Sequence, residues 1–340
     1  MIARSKYDCY VTTSFTPVDA IPNDEIEMHR QEITGYCYRM LGSVYEADDA
    51  AQDTMVRAWQ ALPEFEGRSS IRTWLFRIAT NVCIDMLRGQ KRRAQPMDLG
   101  SSSPAELRFL APMDMDQPWL LPMPSSRCGI THGDPEVAVV ERESVRLAFV
   151  AALQHLPARQ RAVLILCEVL RFSASEVADL LETTVASVNS ALQRARATLA
   201  TCHLAQPLPT LESDQRILLE QFVEAFESYD IARLATLLRD DAIQSMPPFA
   251  MWIQGSNAIA QWMLGPGAEC DGSRLIPTSA NGCTAFGQYR RAETFGDAGG
   301  GHLPWALQVV EVSDGKVSEI HAFLDADLFT AFGLPSRLDP

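Results

Sequence analysis

The chain has 340 residues, enough for two or three domains, and 47% of them are hydrophobic, which suffices for proper cores. Its net charge of −14 excludes a general nucleic-acid coat protein, because such binding depends on neutralising phosphate over a broad surface. No apolar run approaches the roughly 20 residues that span a bilayer, and the eight cysteines form no C-x-x-C pair, so we expect a cytoplasmic location, no membrane partner, no metal and no cofactor.

The first part of the chain predicts a tail and a three-helix unit. Residues 1–23 show no clear period and indicate a loosely ordered tail. A helix is predicted from Asp24 to Leu41, and a second helix runs from Glu46 to Leu62, where Pro63 ends it. A third and longer helix completes the unit, which we place at residues 24–93.

The third helix and the loop before it are basic within an acidic chain. The loop, residues 65–70, has Gly67 as its flexible point, and apolar residues at helical spacing then predict one helix that ends at Lys91–Arg93. From Arg57 to Arg93 there are eight Lys or Arg residues against three acids. Such a helix favours a polyanion or an acidic protein surface as its partner. The alternative is an ordinary amphipathic helix whose cations are solvated.

Residues 94–135 have the composition of a linker. They contain seven prolines, which prevent a regular helix of any length. They also contain methionine, tryptophan and leucine, which is an apolar composition for a simple spacer. We therefore predict an extended segment laid along a partner's channel, with a flexible tether as the alternative.

Residues 136–205 predict an all-helical unit that ends in a helix-turn-helix. Ser175 is the predicted cap of a short helix through Leu181. Glu182–Thr183 form the predicted turn, and a second helix of about 14 residues begins at Thr184 or Ala186. This arrangement is typical of DNA-binding helix-turn-helix units, although any short helical hairpin produces a similar pattern.

Residues 211–340 predict a separate α+β domain. Its predicted helices cover residues 218–226, 231–238 and 256–264. Four strand-like runs follow: Arg274–Ala280, Cys283–Arg290, Trp305–Val312 and Lys316–Phe323. Helices followed by a meander indicate a curved antiparallel sheet wrapped on helices.

Several of these segments resemble known families. YEADDAAQDTMVRAW at 45–59 and FEGRSSIRTWLFRIATNVCIDMLR at 65–88 resemble region 2 of the extracytoplasmic-function (ECF) sigma factors of the sigma-70 family. VNSALQRARATL at 188–199 is similar to sigma region 4, although Asn189 and Ala191 stand where many relatives have basic residues. Residues 230–248 and 314–335 resemble the SnoaL-like branch of the NTF2 fold.

The resemblance implies a multidomain fold class. It comprises two all-α helical domains, a region 2 three-helix unit and a region 4 helix-turn-helix, and an α+β SnoaL/NTF2-like cone with a curved antiparallel sheet. It implies no bond-making chemistry, so the chain is not expected to be an enzyme. The implied partners are core RNA polymerase, through its β′ clamp and β flap, and promoter DNA.

The resemblance also implies three sets of contact residues. The polymerase-binding set is Asp49, Gln52, Asp53, Met55 and Arg57. The −10 DNA-binding set, whose loop would receive a flipped base, is Phe65, Gly67, Arg68, Ser69, Ser70, Arg72, Thr73, Arg77, Thr80, Asn81, Lys91, Arg92 and Arg93. The −35 DNA-binding set is Thr184, Ser187, Val188, Asn189, Gln193, Arg194 and Arg196.

The role of the C-terminal domain stays open at the level of sequence. We expect it to regulate the sigma factor by packing on the helical units or the linker. The alternatives are a small-molecule isomerase or cyclase, with Asp241, His302 and His321 as candidate acid–base groups, and a ligand-sensing domain fused to a DNA-binding regulator. A small ligand is therefore a further expected partner, in a pocket or core lined by Met246, Trp252, Trp262 and Phe286.

Overall fold

The computed structural model of the protein describes residues 23–110, 116–129, 142–202 and 212–339. Nearly all of the predicted tail lies outside these residues. So do parts of the predicted linker and the predicted boundary at residue 205.

The first helical unit is built from α1 to α4. These helices are α1 (Asn23–Glu27), α2 (Arg30–Leu41), α3 (Val44–Ala61) and α4 (Ile71–Leu87). The helix predicted from Asp24 to Leu41 is thus divided in two, with Met28 and His29 between the parts. Gly42 ends α2 with a φ of +72°, and its N–H donates to the carbonyl oxygen of Tyr38, a left-handed cap that suits glycine.

The basic cluster at residues 91–93 lies beyond α4 rather than on it. Arg88 leaves the helical conformation, and Gly89 adopts a φ of +76°, so the helix ends at Leu87. The prediction that Lys91–Arg93 close this helix is therefore wrong. At the other end, the hydroxyl of Ser70 accepts a hydrogen bond from the backbone N–H of Thr73 and caps the helix.

The second helical unit is built from α5 to α8. These helices are α5 (Leu147–Gln154), α6 (Ala158–Leu164), α7 (Ala174–Leu180) and α8 (Val185–Leu199), and a π-helical turn (Ile165–Val169) continues α6. The cap of α7 is Ser173 and not Ser175, because Ser173 and Glu176 exchange side-chain-to-backbone hydrogen bonds in a capping box. Thr184 is the N-cap of α8. This agrees with the first of the two predicted starts of the helix, Thr184 and Ala186.

The C-terminal domain combines four helices with one six-stranded sheet. The helices are α9 (Glu212–Glu227), α10 (Ile231–Leu237), α11 (Ser256–Leu264) and α12 (Asp327–Ala331). The strands are β1 (Leu238–Ser245), β2 (Trp252–Gln254), β3 (Arg274–Ala280), β4 (Cys283–Arg291), β5 (His302–Ser313) and β6 (Lys316–Phe323), in the order β2-β1-β6-β5-β4-β3. The four predicted strands are confirmed, with β4 and β5 extending past their predicted ends.

Strands β1 and β2 were not predicted from the sequence. After Leu238, β1 continues with the charged run Arg239–Asp241, which shows no alternation of apolar and polar residues. It pairs with β6 in parallel, through Gln244 opposite Ile320, so the sheet is mixed rather than wholly antiparallel.

The two faces of the sheet belong to two different hydrophobic cores. The concave face, with Phe286 and Val310, packs on α9 to α11. The opposite face contributes Ala285, Val309 and Phe323 to a core that continues through both helical units. The C-terminal domain is therefore packed on the helical units by the outer face of its sheet.

The described part of the linker lies along the chain itself. Gly35 of α2 has no space for a Cβ atom, because the carbonyl group of Cys128 occupies that position. Pro124 forms a bridge to Ala280 of β3. The described part of the segment contains short 3₁₀ turns at Pro96–Asp98, Leu107–Phe109 and Ser125–Arg127, and it contacts α2 and the sheet of its own chain. Its placement along a partner's channel stays a prediction. Among the described residues, no helix combines the length and the apolar character that a membrane span requires.

Candidate nucleic-acid and partner interfaces

The predicted −10 loop is exposed at its tip and anchored at both ends. Phe65 packs on Trp74 of α4, with their ring centroids 4.9 Å apart. Gly67 and Arg68 are exposed, and Arg68 forms an ion pair with Glu66. Ser69 is partly exposed, and the exposed Ser70 is committed to the helix cap. The loop thus offers an accessible tip on a fixed base.

Two residues of the predicted −10 set are buried. Thr80 has no exposed surface, and its hydroxyl donates to the carbonyl oxygen of Phe76 and lies 2.8 Å from the hydroxyl of Tyr36. Thr73 is 7% exposed and serves the cap of α4. Both threonines stabilise the helix and its packing in this structure rather than presenting a DNA-binding surface.

Two arginines of the same set are held by the second helical unit. Arg72 forms an ion pair with Glu32, donates to the carbonyl oxygen of Leu170 at 3.2 Å, and stacks 4.2 Å from the ring centroid of Phe172. Arg77 donates to the carbonyl oxygen of Asp179 at 3.1 Å. Arg72 and Arg77 of α4 thus contact the second helical unit while both side chains keep part of their surface exposed.

The remaining members of the −10 set are Asn81 and the three basic residues beyond the end of α4. Asn81 and Lys91 are exposed. The guanidinium of Arg92 contacts the ring of His155. Arg93 is largely buried, pairs with Glu46 and donates to the carbonyl oxygen of Trp119 at 2.6 Å. Arg93 therefore fixes the linker to α3 in this structure.

The predicted polymerase-binding residues lie on α3. Asp49 and Gln52 are exposed, and Arg57 forms an ion pair with the partly exposed Asp53 at 2.8 Å. Met55 has no exposed surface and belongs to the core, which corrects its assignment as a contact residue. The apolar stripe of α3, which recurs every three or four residues, is the signal that predicts this burial.

The linker approaches the same face of α3. Arg127 forms an ion pair with Asp48, the neighbour of Asp49. Arg127, Asp49 and Gln52 line one shallow surface groove.

The predicted −35 set lies on α8 and at its start. The exposed members of the set are Thr184, Ser187, Asn189, Gln193, Arg194 and Arg196. Arg194 donates to the hydroxyl of Ser190 at 2.8 Å, one turn earlier. Arg196 pairs with Glu168 within the same helical unit. Val188 is 1% exposed and packs in the core, so its assignment as a contact residue is also corrected.

Asn281, which the sequence did not single out, joins three parts of the chain. It is fully buried in the β3–β4 turn. Its Nδ2 donates to the hydroxyl of Tyr38 at 2.7 Å and to the carbonyl oxygen of Val145 at 2.6 Å, and its Oδ1 accepts from the N–H of Met123 at 3.0 Å. One side chain therefore links the C-terminal domain to both helical units and the linker.

A buried charged cluster lies at the same junction. Arg146, just before α5, pairs with Glu311 of β5. Burial and the charge of Glu319 raise the pKa of Glu311, against the opposing effect of Arg146. Burial alone would lower the pKa of His321, but its 2.8 Å contact with Glu319 and the carboxylate charge raise it. The cluster thus places Arg146 and His321 against the carboxylates of Glu311 and Glu319 at the junction with the second helical unit.

The concave face of the sheet borders a cavity of about 200 Å³. Of the four residues predicted to line a pocket or core, Met246 and Trp262 line this cavity and Phe286 lies in the adjoining core. Trp252 does not line the cavity.

The candidate acid–base groups lie elsewhere. Asp241 pairs with Arg239 at the surface, and His302 contacts the carbonyl oxygen of Gly272. His321 is held between Ser245 of β1 and Glu319 of β6. These three groups therefore do not converge on the cavity.

Three stretches of the chain match described protein families. Residues 26–93 match sigma-70 region 2, residues 146–199 match sigma-70 region 4, and residues 219–320 match the SnoaL-like domain. The matches coincide with the first helical unit, the second helical unit and the C-terminal domain.

Whole-chain relatives extend these matches. The ECF RNA polymerase sigma factor SigG of Mycobacterium tuberculosis is 44% identical over 319 residues, which cover 92% of this chain and 83% of SigG. This chain belongs to the ECF sigma factors. SigW of Bacillus subtilis is 30% identical over 176 residues, which cover 52% of this chain and 85% of SigW. The crystal structure of Mycobacterium tuberculosis SigJ has the same fold, with a TM-score of 0.59 at 21% identity, over 92% of this chain and 99% of SigJ.

The protein is therefore an ECF sigma factor with a C-terminal SnoaL-like domain. As a sigma factor it binds core RNA polymerase and promoter DNA and acts in transcription initiation. It is not an enzyme, because sigma factors supply promoter specificity to the polymerase rather than catalysis. The prediction of a sigma factor is confirmed, and the alternative of a fused isomerase or cyclase is disfavoured.

Proposed function

We propose that the C-terminal domain holds the free sigma factor in a closed arrangement, and that initiation requires this arrangement to open. The −10 and −35 elements lie about 25 base pairs apart, which is roughly 85 Å at about 3.4 Å per base pair. In the closed arrangement, Arg77 of α4 contacts Asp179 of α7 directly. Two DNA-binding units in contact do not reach both elements at once, and this contact is the observation that carries the proposal.

The C-terminal domain stabilises the closed arrangement through bonds to the helical units that lie outside the direct contact between those two units. Asn281 bonds to both units, and Arg146 joins the second unit to Glu311 of the sheet. If these bonds are lost, less free energy is needed to open the closed arrangement. A sigma factor with weakened docking should therefore initiate more readily when core polymerase is limiting.

Opening also changes what the −10 surface can bind. Arg72 and Arg77 give up their contacts with the second helical unit. The guanidinium of Arg77 then becomes available to phosphate, while that of Arg72 keeps its ion pair with Glu32 of the first unit, which a phosphate contact replaces. We propose that they then act with Arg68, Asn81 and Lys91 on the −10 strand. The exposed face of α3 with Asp49, Gln52, Asp53 and Arg57 is the proposed polymerase contact. Core polymerase is cytoplasmic, and we propose the same place of action for this chain.

We further propose that Ser187, Asn189 and Arg194 of α8 contact the −35 element. All three side chains are exposed. Arg194 is bonded only to Ser190 among the described residues, an intrahelical contact that DNA can replace.

Replacing Arg194 with alanine should lower transcription from a promoter that has a −35 element by about fivefold or more, because one base or phosphate contact is lost. Run-off transcription with core polymerase measures this, with a promoter lacking the −35 element as reference. Arg196→Ala is the control, since Arg196 pairs with Glu168, and it should have the smaller effect. Equal transcription by wild type and Arg194→Ala would contradict the placement of α8.

A further inference from the structure

The cavity of the C-terminal domain is apolar over most of its wall. It lies between the concave face of the sheet and α10 and α11, and its volume is about 200 Å³. For scale, a dry cavity of about 150 Å³ accommodates a benzene ring. Its apolar wall includes Phe226, Met246, Ile259, Trp262 and Trp305. The shape and lining suit a molecule of one or two rings.

At one end of the cavity, a series of side-chain hydrogen bonds leaves one acceptor atom without a donor. Gln308 donates from its Nε2 to the Oε1 of Gln288 at 2.7 Å, and Gln288 donates from its Nε2 to the hydroxyl of Ser273 at 3.1 Å. The Oε1 of Gln308 is buried and has no hydrogen-bond partner, and the residue is 4% exposed. A buried acceptor without a donor costs free energy, so the site favours a ligand that donates to it.

The same end of the cavity carries an unpartnered donor. Arg290 is 5% exposed, and its Nε has no hydrogen-bond partner. Its guanidinium donates to Glu269 at 2.5 Å and lies 4.4 Å from the ring centroid of Trp305. Because Glu269 already balances its charge, this arginine does not call for an anionic ligand. A ligand hydroxyl group suits both unpartnered atoms, because it can donate to the Oε1 of Gln308 and accept from the Nε of Arg290.

The linker forms part of the cavity wall. Leu110 lines the cavity, and the stretch before it is tied to β2 by two bonds. The N–H of Ser103 donates to the carbonyl oxygen of Trp252 at 2.8 Å, and the indole N–H of Trp252 donates to the carbonyl oxygen of Gly100 at 2.8 Å. A molecule in the cavity therefore contacts the segment that connects the two DNA-binding units.

We propose that this cavity binds a small neutral ring compound with a hydroxyl group, and that the ligand holds the linker against the C-terminal domain. The hydroxyl donates to Gln308, the rings pack between the tryptophans, and Leu110 closes the site. Because the ligand contacts the docked linker, it binds that state more tightly than the undocked state. By reciprocity, bound ligand stabilises linker docking.

Equilibrium dialysis against the full-length protein tests the chemistry of the site, with 2-naphthol, naphthalene and 2-naphthoate as probes. We expect 2-naphthol to bind about tenfold more tightly than naphthalene, the value of one buried hydrogen bond, and 2-naphthoate to bind most weakly. Gln308→Leu should abolish the preference for 2-naphthol while it keeps the binding of naphthalene. Absence of 2-naphthol binding at millimolar concentration, or tightest binding of 2-naphthoate, overturns the proposal.

The linker variants test the second half of the proposal and do not depend on the folding of the Gln308 variant. Leu110→Ala should weaken 2-naphthol binding about fivefold, since part of a leucine side chain leaves the site. Leu107→Ala is the matched control, because Leu107 is 64% exposed in the same segment, and it should bind within twofold of wild type. Equal binding by the two variants overturns the role of Leu110.

Hydrogen exchange of residues 100–110 completes the test. Bound 2-naphthol should slow this exchange in the wild type but not in Leu110→Ala, and unchanged wild-type exchange overturns the coupling. None of these readouts uses polymerase. A negative result here is therefore distinguishable from a failure of the proposed closed arrangement.

Discussion

Replacing Asn281 with glycine is expected to loosen the C-terminal domain and to increase transcription at limiting core polymerase. Glycine retains the positive φ of this turn, which is +54°, so the change removes the side chain without straining the backbone. Three buried hydrogen bonds, to Tyr38, Val145 and Met123, are lost. At about 1 kcal/mol each, the closed arrangement loses about 3 kcal/mol.

This loss should raise the population of open molecules by about 100-fold. Hydrogen exchange of peptides containing Tyr38 and Val145 measures the opening, and run-off transcription measures its effect. Asp314→Gly is the control, because Asp314 occupies the β5–β6 turn with a nearly identical φ of +55° but is exposed. If Asn281→Gly and Asp314→Gly gave the same exchange and the same transcription, Asn281 would have no part in restraint.

Replacing Arg161 with methionine is expected to separate the helical units and to destabilise the protein strongly. Arg161 is 4% exposed on α6 and donates to the side chain and the backbone of Gln154, to the carbonyl oxygen of Leu156 and to that of Met40 in the first unit. Burial lowers its pKa to about 10, so it stays charged at neutral pH. Methionine fills a similar volume but leaves these acceptors unpaired.

We expect the free energy of unfolding to fall by about 3–5 kcal/mol and Tm to fall by about 10 °C. Thermal and urea denaturation measure both quantities. Arg159→Met makes the same chemical change on the same helix at an exposed position, and it should leave Tm nearly unchanged. Similar Tm values for the two variants would show that Arg161 does not join the units.

The sequence predicted the elements of this fold well where local signals are strong. Apolar periodicity located the helices, and the runs at 274–280 and 316–323 match β3 and β6 without change. Strand β1 was missed because its first half is charged and its pairing with β6, about 75 residues away in sequence, is not a local property. The end of α4 was misplaced because the glycine after Arg88 outweighs the helix preference of the basic residues.

Some of the contact residues that the family resemblance implied are buried in this structure. Met55 and Val188 are apolar members of their helix stripes, so periodicity alone predicts their burial. Thr80 is polar, and only its partner Tyr36, 44 residues away, shows why it is buried. Asn281 precedes a glycine in a hairpin, so the sequence predicts a turn there. Its partners lie 136 to 243 residues away, and nothing local indicates them.

Energy transfer between dyes on the two helical units tests the closed arrangement most directly. Positions 85 on α4 and 175 on α7 are exposed and lie outside the proposed DNA contacts. With dyes attached through unnatural amino acids, we expect efficient transfer in the free protein, and a large drop when core polymerase and promoter DNA are added. Efficient transfer that persists in a complex active in run-off transcription would contradict the account, because the units would then initiate without separating.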